Sequence, residues 1–144
     1  MKFAGISDLQ VQGCNRWTLP DGTIKLALPH VLPFFRTIAA NSVITDNEFG
    51  TPPDYDFLCK VVSWTGFTPK MTVQIQWPDG RYLSNPGLDF FSFVGVGRRG
   101  RLISPHKFCA KSSKIRLNLD NTANVNDYSI ELYFEGVILV DILP

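Results

Sequence analysis

The chain has 144 residues, enough for one domain with its own core and too short for two comfortable ones. A hydrophobic share of 44% excludes global disorder, and a net charge of +1 excludes the large basic excess of a nucleic-acid-binding domain. Charged residues reach only 19% while aromatics reach 12%, with eleven Phe, so aromatic surface must be buried well or covered by a partner.

In chain order, the first third reads differently from the rest. The start, from Met1 to Asp8, has no long apolar run of the signal-peptide kind. No stretch approaches the roughly 20 apolar residues of a membrane span. Pro20, Pro29 and Pro33 break the next part, where residues 23–28 suit a strand and residues 34–40 a short helical turn. Residues 1–41 are therefore expected to form an extended arm with edge strands, and residues 42–144 a compact β-sandwich. Proline denies the arm a place as a continuous central strand, yet its apolar side chains, Trp17, Phe34 and Phe35 among them, need cover. The arm either packs on a neighbouring chain or folds back on its own sandwich.

From residue 56 onward strand signals recur. Met71, Val73, Ile75 and Trp77 alternate with Thr72, Gln74 and Gln76, and Ile115, Leu117 and Leu119 with Lys114, Arg116 and Asn118. Tyr128, Ile130, Leu132 and Phe134 alternate with Ser129, Glu131 and Tyr133. A period of two puts one set on a core and the other towards water, the mark of antiparallel sheets. Trp77 falls in phase with the core, and Tyr133 falls out of phase and should point outward. Pro78-Asp79-Gly80 and Glu135-Gly136 read as hairpin turns, Asn85-Pro86-Gly87 and Arg99-Gly100 as loops, and residues 121–126 as a polar connector. The expected fold is all-β: an antiparallel β-sandwich, jelly-roll or immunoglobulin-like, behind an extended N-terminal arm.

Charge is segregated. Residues 90–119 hold seven bases and no acid, and residues 120–144 five acids and no base. Either the two regions pair as strands, or they form complementary patches on different subunits. Arg98, Arg99 and Arg101 sit among glycines without the Lys-Ser or Lys-Thr of a phosphate-binding loop. They suit a solvated turn or an acidic protein surface better than nucleic acid.

Chemistry is sparse. His30 and His106 are too isolated for a catalytic triad, and no nucleophile elbow is present, so both read as surface or interface residues and no enzyme activity is expected. The two His and three Cys lack metal-ligand spacing, so neither metal nor cofactor is expected. The acids at 46–48 and 54–56 suit calcium less well than simple solvation of turns. Cys14, Cys59 and Cys109 read as free thiols of a chain made and folded in cytosol. Trp17, Trp64, Trp77, Tyr82 and Tyr133 are the aromatics that a sugar-binding platform would draw on.

Residues 56–140 resemble small β-sandwich proteins of tailed bacteriophage virions. The resemblance runs through Phe57-Leu58-Cys59-Lys60-Val61-Val62, the strand and hairpin of residues 72–85, Gly95-Val96-Gly97-Arg98-Arg99, Leu102-Ile103-Ser104-Pro105, residues 113–119 and residues 128–137. It implies a virion structural role, most often as a capsid decoration or cement protein that forms small homo-oligomers and binds the major capsid protein or other virion proteins. Tail and fibre proteins share such sandwiches. A protein–protein interface built from Trp17, Phe34, Phe35, Arg98, Arg99 and Arg101 is therefore expected, without membrane or specific nucleic acid as partner. The competing expectation is a glycan-binding module, which requires exposed co-planar aromatics beside polar side chains.

Overall fold

The computed structural model describes residues 2–3, 15–65, 70–83, 88–89 and 100–143. Among them are the strands β1 (Lys2–Phe3), β2 (Asn15–Thr18), β3 (Ile24–Ile38), β4 (Val43–Gly50), β5 (Asp56–Thr65), β6 (Thr72–Gln76), β7 (Leu88–Asp89), β8 (Arg101–Cys109), β9 (Lys114–Asp120) and β10 (Tyr128–Leu143), with no helix among the described residues. The fold is all-β, with antiparallel sheets in a sandwich-like arrangement. One sheet has the order β2-β3-β10-β5-β8 with β1 on the end of β10, and the other the order β4-β9-β6-β7. From β3 onward the chain changes sheet at every connection except β6 to β7.

The alternating segments behave as their period requires. Val73 and Ile75 of β6 and Ile115, Leu117 and Leu119 of β9 are buried, as are Ile130, Leu132 and Phe134 of β10. They meet across the sheets: Phe134 lies 5.0 Å from Phe49 and 6.1 Å, edge-on, from the buried Trp77. Each such side chain contributes roughly 1.5–3 kcal/mol on burial. The hairpin at Pro78-Asp79-Gly80 forms as expected: Trp77 N donates to Arg81 O at 2.8 Å and Gly80 takes φ 85°.

Residues 24–38, expected within the arm, form β3. This strand pairs with β10 from Tyr128↔Ile38 to Asp141↔Lys25 and sends Leu32, Phe34 and Ile38 into the main core. The sandwich therefore takes in these residues as well as those from 42. The expected helical turn at 34–40 is replaced by strand, because β10 supplies a partner for every residue up to Ile38. The prolines are accommodated on the open side: β2 covers β3 only over residues 24–27, so beyond Leu28 β3 has no second partner among the described strands. Pro29 and Pro33, four apart, turn their nitrogens to the same side, which fits an edge. Apart from residues 2–3 and 15, residues 1–15 lie outside the description.

The expected hairpin at Glu135-Gly136 is not one. β10 runs unbroken from Tyr128 to Leu143, and Gly136 sits where its register with β5 shifts, Glu135 facing Val61 and Gly136 facing Cys59. The glycine answers a close backbone approach rather than a turn. The extra residue in β5 lets both Cys59 and Val62 face the core.

The polar connector is a structural knot. Asn121 is fully buried, and its Nδ2 donates to the carbonyls of Ala39 (3.0 Å), Asn126 (3.1 Å) and Ile38 (3.4 Å). Asn124 Nδ2 donates to Asn121 Oδ1 at 2.7 Å. One amide thus ties the end of β3 to the link between β9 and β10.

Candidate protein-interaction face

Each strand of the larger sheet has a second face, and the registers set out its rows. Pro29, Val137, Leu58 and Phe108 stand side by side across β3, β10, β5 and β8. Val31, Glu135, Val61 and Leu102 form the next row, then Pro33, Tyr133 and Ser63, then Phe35, Glu131 and Thr65. At the β2 end, Trp17 and Leu19 pack on a second cluster of Ala27, Leu58, Val137 and Leu139. Trp17, Leu19, Pro20, Asp21, Leu58 and Phe108 line an apolar groove of about 440 Å³. The Lys60 ammonium lies 5.6 Å above the Trp17 ring, and the His106 ring lies 6.2 Å from it.

This face keeps large apolar side chains in water: Val31, Phe35, Leu102 and Phe108 are all exposed, Leu102 to 65%. The smaller sheet differs. Its outer side carries Gln74 bonded to Asn118 (2.9 Å), Arg116 paired with Glu48 (2.8 Å), and Asp120 accepting from Thr122 (2.6 Å). The outer side of the smaller sheet is mostly polar, with Val43 exposed at its β4 end, whereas that of the larger sheet exposes four large apolar side chains.

Of the residues singled out from sequence, Trp17 is half-buried on β2 beside the groove. Phe35 is 60% exposed on the apolar face and meets Tyr133 edge-on at 5.9 Å. Phe34 belongs to the core instead: it is 7% exposed and packs 5.4 Å from Phe49, because alternation along β3 turns it to the opposite side from Phe35. Arg101 opens β8 opposite Val62, and Arg98 and Arg99 lie outside the described residues. Leu102 and Phe108 were missed, because the Pro in Ser104-Pro105-His106 hides the strand they share. Their signal is their offset from Ile103 and Cys109, which face inward.

His106 is exposed with Nδ1 3.0 Å from Ile103 O, and His30 is half-buried, edge-on to Phe57 at 6.1 Å. Glu48 pairs with Arg116, and Asp56 lies 3.7 Å from Lys25 and accepts from Lys111 N at 2.9 Å. Among the described residues no group of three or more His, Cys, Asp or Glu is placed to hold a metal ion. Cys59 and Cys109 are buried free thiols, burial pushing Cys59 well up and Cys109 up to about 12, while Cys14 lies outside the described residues. Tyr133 and Thr65 donate to Glu131 Oε2, at 2.6 and 2.8 Å, and hold that carboxyl below its usual range.

Among the described residues the charge segregation does not reflect strand pairing, since β8 and β9 pair with β5, β4 and β6 and not with β10. Lys107 and Arg116 pair with Asp79 and Glu48, acids from earlier in the chain.

These features define an antiparallel β-sandwich protein with one apolar outer face. No protein-family model matches the chain, and no curated protein matches it either.

Proposed function

We propose that the protein is a structural interaction protein of a bacteriophage virion, a capsid decoration or cement protein that binds neighbouring protein chains through the outer face of its larger sheet. It acts by binding, without catalysis, in small homo-oligomers on the capsid surface. The observation that carries this reading is the contrast between the two outer faces: Phe35, Val31, Leu102 and Phe108 stand exposed on one, and mostly polar side chains, with Val43 the exposed apolar exception among the described residues, on the other. A partner seated on the apolar face would bury these side chains, and Glu135 between Val31 and Val61 would select a surface that offers it a donor.

We also infer that the sandwich is a jelly roll. Strands β3-β10-β5-β8 against β4-β9-β6-β7, with the chain alternating between sheets, match the double-sheet architecture of eight strands and two Greek keys. That architecture occurs in viral capsid and lectin domains, so it supports a virion role by analogy only.

The glycan reading fares less well on this face. A platform for an extended glycan on this face would need co-planar rings, and Phe35–Tyr133 and Trp17–His106 stand at 74° and 47° to each other. Tilted rings suit the irregular surface of another protein.

The test is whether the protein occurs in fixed stoichiometry in purified particles of the phage that encodes it, and whether the double variant Phe35→Ser, Phe108→Ser still binds particles that lack it. Presence together with loss of binding in the variant supports the reading. Absence from particles, or unchanged binding by the variant, overturns it.

A further inference from the structure

A second concave site lies at the edge of the sandwich, where the 77–83 hairpin of the smaller sheet meets β8 of the larger one. On β5, Cys59 faces Lys107 and Val61 faces Leu102, so Lys60 alone stands opposite residues 103–106 and that stretch of β8 is thrown off the sheet. Between it and the hairpin is a groove of about 520 Å³, a size in the range of small-ligand sites. Trp77, Leu83 and Ile103 line its apolar base, and the exposed Tyr82 and Phe108 line its sides.

The groove is held from both sides. The Lys107 ammonium pairs with Asp79 Oδ2 and ties the hairpin tip to β8. Asp79 Oδ1 accepts from Arg81 N at 3.0 Å, and Leu83 N donates to Ile75 O at 2.8 Å. The backbone that presents Arg81 and Tyr82 is therefore fixed before any ligand arrives.

Its polar groups are open to a ligand. Among the described residues, the Arg81 guanidinium, the Tyr82 hydroxyl, Ser104 Oγ and His106 Nε2 have no hydrogen-bond partner, and all four residues line the groove. His106 Nδ1 at 3.0 Å from the Ile103 carbonyl must carry the proton, which makes Nε2 an acceptor in the neutral ring. Asp79 is paired with Lys107 and also lies within the field of Arg81, and the three charges together leave one positive charge, carried by the guanidinium that has no hydrogen-bond partner among the described residues.

We propose that this groove binds a carboxylated sugar ring, a uronic-acid-type unit, with the carboxylate on Arg81 and the ring against Tyr82. The guanidinium fork matches a carboxylate in two parallel bonds. The aromatic ring covers the apolar side of the sugar. Ser104, His106 Nε2 and the Tyr82 hydroxyl, each a single donor or acceptor set apart from the others, match the spread hydroxyls of a sugar. A plain aromatic acid would leave those groups desolvated and unpaired. The site is separate from the docking face and does not rest on it, although Phe108 borders both.

The experiment is a titration of the isotope-labelled full chain with trigalacturonate, followed by amide chemical shifts, beside the neutral trigalactose. We expect saturable shifts centred on Arg81, Tyr82 and His106, and affinity at least about tenfold weaker for the neutral sugar, for Arg81→Gln and for Tyr82→Ala, the size of one lost charged or stacking contact. Arg81 and Tyr82 are exposed, so both variants keep the fold, which their dispersed spectra will show. The proposal is overturned by no saturable shift up to about 20 mM, by equal binding of the neutral sugar, by undiminished binding of Arg81→Gln, or by shifts centred on the Trp17 groove instead.

Discussion

Gly136 of β10 lies against Leu58 of β5 so closely that a Cβ on the glycine would overlap the Leu58 carbonyl and stand 3.1 Å from Cys59 Cα. The obstacle is backbone in the neighbouring strand, which cannot swing aside as a side chain can. Gly136→Ala is expected to cost about 3 kcal/mol or more, read as a lower urea midpoint or as failure to fold. Gly22→Ala is a poor control because φ there is 86°, whereas Gly50→Ala, whose nearest neighbour is the Lys114 ammonium at 3.8 Å, should lie within about 1 kcal/mol of the parent. Equal stability of the Gly136 and Gly50 variants would show that the two strands separate more easily than this geometry allows.

Phe34 and Phe35 are neighbours in sequence and opposites in role. Phe34→Ala removes a ring from the core and should cost about 3–5 kcal/mol. Phe35→Ala gives up an exposed edge-on contact with Tyr133 and should cost no more than about 1 kcal/mol. If the apolar face docks a partner, Phe35→Ala nonetheless weakens particle binding. Chemical denaturation and a sedimentation assay on the same two proteins decide it, and a Phe35 variant as unstable as the Phe34 variant would contradict the assignment of faces.

Asn121→Leu keeps the volume and deletes the amide that three carbonyls share. The expected loss is about 2–4 kcal/mol. Asn126→Ala, which removes an exposed side chain and leaves its own carbonyl in place, should change stability by no more than about 0.5 kcal/mol. Thermal melts of the pair check this. Comparable melting temperatures would mean that water replaces the buried amide.

Asp79 is held below the usual carboxylate range, chiefly by its hydrogen bond from Lys107, and Asp120 likewise by the Thr122 hydroxyl. A carboxyl whose folded value is depressed adds stability that is present above its unfolded value and is lost as pH falls through the folded one. Stability should therefore be flat near neutrality and decline below about pH 4. In Lys107→Gln, Asp79 should titrate higher than in the parent when followed by carboxyl carbon shifts. An unmoved titration would show that Lys107 does not hold it. The raised thiols of Cys59 and Cys109 contribute nothing to this acid limb, being protonated throughout it.

The amino-acid sequence by itself determined the class of fold and the inner face of most strands. Alternation in 71–77, 114–119 and 128–134 is a local property of a pleated chain whose one side is buried, and the turn at Pro78-Asp79-Gly80 is likewise local, because Gly80 supplies the left-handed conformation it needs. What tertiary structure decided was everything that depends on a distant partner. Residues 24–38 form a long strand through two prolines because β10 lies on one side and no described strand pairs with the other side beyond residue 27. Glu135-Gly136 has the composition of a turn, and becomes a close crossing only because β5 bulges against it. The apolar face is assembled from β3, β5, β8 and β10, whose residues lie far apart in sequence, as Pro29 and Val137 do, and the groove at Arg81 and Tyr82 exists because a hairpin of one sheet is tied by Asp79 to Lys107 on the other. Periodicity is written residue by residue, whereas a face or a groove is the sum of registers between strands, and a register is settled by which strands meet.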